Sequence, residues 1–397
     1  MVGIKQISIR TAENGQDYTG IKISADVDES TEIIVPRYYM PEMNKPVELL
    51  SKDEKRKLKR LTKAWGKYQK RAKTKNNGEF EGEGMNFDFD VVFRLIQDFL
   101  EYGLYTEFEK TEKLSNVGKI DFPRTIKRCT PILIDDDPLY LPYITRTKKV
   151  ADENLVRDTQ VLVLNDISNK VGWLVGFNVF IPQTGIKEGL DKSLITKLKM
   201  AKNTSYNTRK INLIDYLIRY LTMLNVAGNN NRELFVSVVY KFWEDMISET
   251  IGNVDKGTLD RIFYIRHRYR NKKTGVVSRM PRELNPLQPD SVFMEGNDII
   301  IIDAKYYDEN NTPQNDDITK QFAYMRKAYG YYGPSHSYRN IFVLPTEHNN
   351  HYSNKEAIFD PDLSMTDDLV PIEVLYLNVT EIVENYIASN NISASVL

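Results

Sequence analysis

Two aspartates and a lysine stand at a spacing suited to cutting phosphodiesters. Asp290 follows Pro289. Thirteen residues later Asp303 ends the apolar run Ile299-Ile300-Ile301-Ile302, and Ala304 separates it from Lys305. Phosphodiester hydrolysis needs a nucleophilic water, relief of charge on the phosphate and a stabilised leaving oxygen. Magnesium can serve all three, and it takes hard oxygen ligands while keeping several waters. Strand alternation puts Asp303 and Lys305 on one face and turns Ala304 away. Gly296-Asn297 supplies a turn, so a hairpin brings Asp290 beside Asp303. Carboxylates so placed repel one another, and a bound cation relieves the repulsion. The expected metal ligands are therefore Asp290, Asp303 and the Ala304 carbonyl, with Lys305 on the water or the scissile phosphate. The bland reading is a buried strand that ends in a surface salt bridge.

Other residues extend this set. A helical pattern runs from Arg232 to about Ile251 and carries Glu233, Glu244, Asp245 and Glu249. Glu244 is the choice for completing the metal site, with Glu233 competing. Gln321 and Tyr324 lie three apart, on one face of a helix that Asp316 or Asp317 should cap. They are expected to contact phosphate or a base, and core packing of Tyr324 is the alternative. Arg266, Arg268 and Arg270 alternate along a strand-like run, which suits a phosphate track. His348 and His351 lack a third ligand and read as loop polarity. Asp135 to Asp137, before Pro138, read as turn chemistry.

The elements that must position these residues follow from periodicity. Residues 4–10, 20–24 and 31–35 alternate like strands, giving a β-rich start. Lys52 to Lys75 holds twelve Lys or Arg residues against Asp53 and Glu54, with Leu58, Leu61, Trp65 and Tyr68 at helical spacing. That is a basic helix with one apolar stripe, which either faces DNA phosphate or an acidic partner, or docks by its stripe. Helices are expected over 86–104, 151–168, 191–202 and 211–224, and an apolar run over 171–180. Beyond the 232–251 helix, strands are expected at 260–269, 275–279, 291–294, 298–303, 340–345 and 370–377. Helices are expected near 316–329 and from about 380. Strands mixed with helices in this order suggest an α/β (α+β) domain with a central mixed sheet flanked by helices.

Bulk properties bound the rest. The chain has 397 residues, 54 Lys and Arg, 55 Asp and Glu, and a net charge of −1, so any nucleic-acid contact must come from local patches. One cysteine, Cys129, excludes an intramolecular disulfide and suits a reducing cytoplasm. No apolar run is long enough to span a bilayer.

The residues quoted resemble a family. Leu287-Gln288-Pro289-Asp290, Ile302-Asp303-Ala304-Lys305-Tyr306 and Gln321-Phe322-Ala323-Tyr324 look like the PD-(D/E)XK nuclease superfamily. Within it they are similar to the McrC-like nuclease subunits, in particular the LlaJI-type restriction endonucleases. Gly118-Lys119-Ile120-Asp121-Phe122-Pro123-Arg124-Thr125-Ile126 resembles a further segment of those proteins, with Phe122 where tryptophan is expected in many relatives. The resemblance implies a Mg²⁺-dependent endonuclease acting on double-stranded DNA with a separate McrB-like AAA+ GTPase. The amino-terminal half would dock into that partner. No G-x-x-x-x-G-K-[ST] loop is present, so GTP would be bound by the partner. Lys52–Lys75 and Gly118–Ile126 are candidates for contacting it, the latter with fold support through an Arg124 salt bridge as the alternative. Residues 1–190 are thus expected to form a partner-docking region and 191–397 a nuclease domain. A reading of another class is a non-catalytic activator of an AAA+ GTPase that keeps a nuclease-like scaffold.

Overall fold

A computed structural model describes residues 7–15, 17–22, 31–75, 87–134, 137–151, 154–182, 190, 192–230, 236–252, 254–263, 268–270, 272–279, 288–307, 313–348, 352–357 and 371–392. The fold is mixed α and β, as expected. It forms two compact units: residues 1–90 with 226–397, and residues 91–225. The 190/191 division drawn from the sequence falls inside the second unit.

The first unit opens with β1 (Ile7–Thr11), β2 (Tyr18–Lys22), β3 (Thr31–Val35) and β4 (Asn44–Pro46). β1 pairs parallel with β3 and antiparallel with β4, and β2 pairs antiparallel with β3. Helix α1 (Lys52–Lys75) follows, then α2 (Phe89–Tyr102), which leads into the second unit. The α1 stripe of Leu58, Leu61, Trp65 and Tyr68 is buried, and Trp65 stacks on Phe89 at 5.7 Å between centroids. The same helix sends basic residues inward. Arg71 pairs with Asp245 at 3.1 Å and with Glu249, and Arg60 pairs with Glu384. Lys52, Arg56, Lys59 and Lys63 remain exposed along the opposite face. The docking stripe expected from the sequence is therefore present, and the opposite face is basic and exposed.

The second unit holds β5 (Phe108–Leu114), β6 (Lys119–Ile120), α3 (Phe122–Arg128), β7 (Ile132–Ile134), β8 (Asp137–Leu139) and β9 (Ile144–Val150). The helices α4 (Leu155–Val175), α5 (Lys192–Asn203) and α6 (Thr208–Asn230) follow. β5, β9 and β6 form a three-stranded sheet, and β7 and β8 pair as a hairpin. Helix α4 runs through much of the expected 171–180 apolar segment, because Val171 and Leu174 continue its buried face. Asn154 caps it, accepting from Val156 and Arg157 N–H at 3.1 Å each. Arg209 grips Asp98 with two hydrogen bonds of 3.1 and 3.0 Å and reaches the Gly103 carbonyl at 2.9 Å.

The chain then re-enters the first unit through β10 (Ser237–Val238), α7 (Val239–Thr250) and α8 (Lys256–Phe263). The helix expected from Arg232 thus starts at Val239, because Ser237 and Val238 add to the amino-terminal sheet by pairing with β2. Residues 260–263, expected as strand, close α8. Leu259, Ile262 and Phe263 recur at helical spacing and enter an apolar cluster, while Asp255 accepts from the Thr258 N–H at 3.0 Å. The short hairpin β11 (Arg268–Arg270) and β12 (Val277–Arg279) follows.

The main sheet is built from β13 (Ser291–Glu295), β14 (Asp298–Ala304), β15 (Ser337–Thr346), β16 (Tyr352–Ala357) and β17 (Ile372–Asn378), in the order β13-β14-β15-β17-β16. β14, β15 and β17 are parallel, and β13 and β16 are antiparallel edges. Gly296 takes φ +60° at the two-residue turn between β13 and β14, a conformation that suits hairpin twist and glycine. Helix α9 (Asn315–Tyr332) connects β14 to β15, and α10 (Val379–Ala388) follows β17. Ile299 and Ile301 of β14 share one cluster with Phe263, Tyr324 and Met325. No described helix is long and apolar enough to cross a membrane.

Asp245 ties three helices of this unit together, accepting from Arg71 and from the Tyr386 hydroxyl at 2.7 Å while only 8% exposed. Asp245→Ala takes the acceptor from the buried Tyr386 phenol and leaves Arg71 paired with Glu249 alone, so it should lower unfolding free energy by about 2–4 kcal/mol in a urea titration. Arg56→Ala, on the exposed face, should change it by less than about 0.5 kcal/mol.

Candidate active site

The end of β14 assembles the acidic set. In the antiparallel register Ser291 pairs with Ile302, so Asp290 stands opposite Asp303. The Asp290 carboxylate accepts the Ala304 N–H at 2.7 Å, which ties the two strand ends together. Asp303 is 6% exposed, and its carboxylate lies 2.6 Å from Lys305 Nζ. Ala304 is fully buried on the opposite side of the strand. The alternation expected from the sequence is therefore present.

Glu244 reaches the same region from α7. The entry of that helix is fixed by the amino-terminal sheet, because its Val239 and Tyr240 N–H groups donate to the carbonyls of Asp17 and Gly15 at 2.9 and 3.0 Å. These are orphan donors of a helix start, satisfied here by a loop rather than a side-chain cap. One residue before Glu244, Trp243 donates its indole N–H to the Val343 carbonyl of β15 at 3.3 Å. Glu244 is thus held from both directions. Glu233, the competing acid, lies outside the described residues.

The electrostatics follow from burial. Burial pushes the Asp290 carboxyl well up, and Asp303 and Glu244 push it further. Asp303 is raised by burial, against the pull of Lys305. Burial drives Glu244 up to about 7, with Lys305 opposing and Asp303 adding to the rise. Burial alone would lower Lys305, yet Asp303, Asp290 and Asp317 overcome it and hold the ammonium above its ordinary value. Lys305 therefore stays charged at neutral pH, while the carboxylates crowd together at a price in desolvation.

Asp317 belongs to this cluster, although the sequence suggested only a cap. Gln314 is the N-cap of α9 and has no side-chain cap bond, while Asp317 sits in the first turn. Its carboxylate lies 3.6 Å from Lys305 Nζ and accepts the Tyr307 hydroxyl at 2.7 Å. An acid in the first turn of the helix that follows a D-x-K strand was the available signal.

Gln321 and Tyr324 are close by but turned inward. Gln321 is fully buried, and its amide donates to the Ile301 and Ile341 carbonyls at 3.2 Å each. It bridges β14 and β15 and has no surface to offer DNA. Tyr324 is 6% exposed and packs edge-on to Phe263. Burial raises its hydroxyl pKa, with Asp303 and Asp290 adding to the effect. The contact with phosphate or base expected of these two gives way to core support. Arg266 lies outside the described residues, and Arg268 pairs across β11 and β12 with Arg279.

A cleft of about 630 Å³ opens beside Lys305 and Glu244, lined also by Glu13, Arg37, Tyr38, Tyr240 and Tyr307. Among the described residues no three Asp, Glu, His or Cys side chains form a ready cage for a metal ion. Magnesium does not need one, since it binds through one or two carboxylates, water and substrate phosphate. Paired buried carboxylates with raised pKa values are a donor set that a hard cation fits.

The family model described as LlaJI restriction endonuclease matches residues 30–379. No curated protein matches the chain. Among solved structures, the chain is similar to one from a refined half-complex of a tetradecameric assembly of Thermococcus gammatolerans McrB AAA+ hexamers with bound McrC. The identity is 13% and the TM-score 0.41, over 94% of this chain and 81% of that one.

The raised Glu244 pKa sets a sign for pH dependence. Between the ordinary value of 4.5 and about 7 the folded chain keeps a proton that the unfolded chain has lost. Stability should therefore fall as pH rises through that window, and Glu244→Gln should remove this loss, which is on the order of 1–3 kcal/mol. Urea unfolding in EDTA at pH 5 and 8 checks it. Parallel pH curves for the two proteins would contradict this placement of Glu244.

Proposed function

The chain belongs to the LlaJI restriction endonuclease family, and from that premise we propose that it is the Mg²⁺-dependent subunit of a restriction system that hydrolyses DNA phosphodiesters. The observation that carries the reading is the joining of Asp290, Asp303 and Lys305 at the end of β14, through the 2.7 Å bond to the Ala304 N–H and the 2.6 Å ion pair. Asp290, Asp303 and the Ala304 carbonyl would hold Mg²⁺, with Glu244 completing the set. Bound there, the ion would supply charge neutralisation on the phosphate and a more acidic water.

The protein groups divide the remaining work. In hydrolysis the water oxygen bonds to phosphorus, one P–O ester bond breaks, and the water proton must leave. Lys305 stays protonated beside Asp303, so it is not the base. Its ammonium stabilises the negative charge that builds on the phosphate oxygens. With Glu244 taken up as a metal ligand, the proton of the attacking water would pass to solvent. Solvent protonates the leaving oxygen. The exposed ridge of Lys52, Arg56, Lys59 and Lys63 gives the same unit phosphate contacts away from the cut.

A separate McrB-like AAA+ GTPase would supply DNA translocation, with GTP bound by that partner. The sequence resemblance of Gly118–Ile126 motivates this, and the second unit carries a surface suited to it. Asp121, Arg124 and Thr125 knit the segment to its own strands: Arg124 pairs with Glu112, the Asp121 N–H donates to the Ile144 carbonyl at 2.8 Å, and the Thr125 hydroxyl accepts the Ile144 N–H at 3.0 Å. Phe122 and Ile126 point outward at 59% exposure each, and Leu133 on the neighbouring hairpin reaches 68%. Apolar side chains exposed at this density mark interaction surfaces.

Two variants separate the roles. In a mixture of the chain, the AAA+ protein encoded beside it, GTP, Mg²⁺ and plasmid, Asp303→Ala should cut at least about a hundredfold more slowly while partner GTP hydrolysis stays stimulated. Phe122→Asp with Ile126→Asp should abolish stimulation of the partner's GTP hydrolysis without lowering the melting temperature. Undiminished cutting by Asp303→Ala would remove the catalytic assignment and leave the activator reading.

A further inference from the structure

The cleft beside Lys305 has a wall that the chemistry above does not use. Lys305, Glu244 and Tyr307 line one side, and Glu13 to Gly15 with Arg37 and Tyr38 line the other. The second wall comes from loops after β1 and β3, more than 200 residues away in sequence. It is firmly seated. The Tyr38 hydroxyl donates to the Tyr307 carbonyl at 3.1 Å, and the Tyr38 and Tyr306 rings meet edge-on at 5.3 Å. A Cβ on Gly15 would come within 2.9 Å of the Tyr306 carbonyl oxygen, so glycine lets this loop close onto the strand end. The wall is built before any ligand arrives, which lowers the ordering cost of binding.

The lining has a definite chemistry. It has two cations, Arg37 and Lys305, and two acids, Glu13 and Glu244. Lys305 is engaged by Asp303 and by the cut-site chemistry. A second phosphate entering the cleft is repelled by the acids and drawn to Arg37, whose side chain is exposed and lies 5.9 Å from the Tyr38 ring centroid. A guanidinium matches phosphate with two parallel hydrogen bonds. Tyr38, Tyr240 and Tyr307 add aromatic surface, on which a base of any identity can stack. About 630 Å³ is ample for one nucleotide.

We propose that this cleft is a nucleotide subsite, in which Arg37 holds the phosphate next to the scissile one and the tyrosines receive that nucleotide's sugar and base. The assignment rests on the nuclease reading, and it makes the amino-terminal sheet part of the substrate site. Its recognition is of backbone and ring, so it positions the strand without selecting sequence.

Thymidine 3′,5′-bisphosphate with Ca²⁺ is the probe, titrated into the full chain by calorimetry. Wild type should bind it, Arg37→Ala should weaken binding about tenfold or more, and Arg37→Lys should recover part of the loss. Tyr240→Ala should weaken it several-fold with an unchanged melting temperature. Equal affinity of wild type and Arg37→Ala, or no wild-type binding at millimolar probe, would overturn the subsite. In a parallel assay Asp303→Ala is tested for plasmid cutting with the partner. Cutting by that variant would sink the nuclease reading, whereas loss of cutting with unaltered Arg37→Ala affinity would sink the subsite alone.

Discussion

Several carboxylates and one ammonium share the end of a single buried strand, and the energetics of that crowding organise the first unit. Removing charges from water costs several kcal/mol per ion unless each finds a partner. Here three of the carboxylates have an anchor. Asp290 takes the Ala304 N–H, and Asp303 takes Lys305. Asp317 takes the Tyr307 hydroxyl while standing near Lys305. Anchoring confines the groups without neutralising them all, and the residual strain appears as raised carboxyl pKa values. A site of this kind gains stability from a cation and works only if its supports are stiff.

Those supports explain features distant from the chemistry. Gln321 is buried under the site because its amide joins two parallel strands at the level where β14 turns polar. Trp243 fixes α7 to β15 one residue before Glu244. The amino-terminal sheet receives β10 as an edge strand and completes the hydrogen bonding at the start of α7. Helix α1 then clamps α7 and α10 through Arg71, Asp245 and Tyr386. Its basic composition thus has two uses: inward ion pairs hold the fold, and an outward ridge remains in solvent.

What could be read from the sequence was local and periodic. Alternation across Asp303 and Lys305, the Gly296 turn and the α1 stripe all repeat within one element, so residue spacing exposed them. What escaped depended on long-range pairing or on competing propensities. Ser237 and Val238 look like helix until β2 is known to need a partner. The Ile-Phe pair at 262–263 favours strand by type, and tertiary burial made it the end of α8. Arg37 and Tyr38 carry no local mark of a cleft, because the residues they face lie at the other end of the chain. Gln321 and Tyr324 were found at the right place, but spacing on a helix does not say which face is buried.

The split of the first unit across the sequence has a consequence for biosynthesis. Residues 91–225 can compact as soon as they leave the ribosome, whereas residues 1–90 must wait for 226–397. At roughly 5–20 residues per second that wait lasts about 15–60 seconds. During it, β2 lacks its β10 neighbour, and the acidic cluster at the end of β14 is incomplete. A polypeptide released early would carry a finished second unit and none of the acids Glu244, Asp290 and Asp303. No fragment truncated at its carboxyl end before Asp290 can therefore hold the assembled acidic cluster.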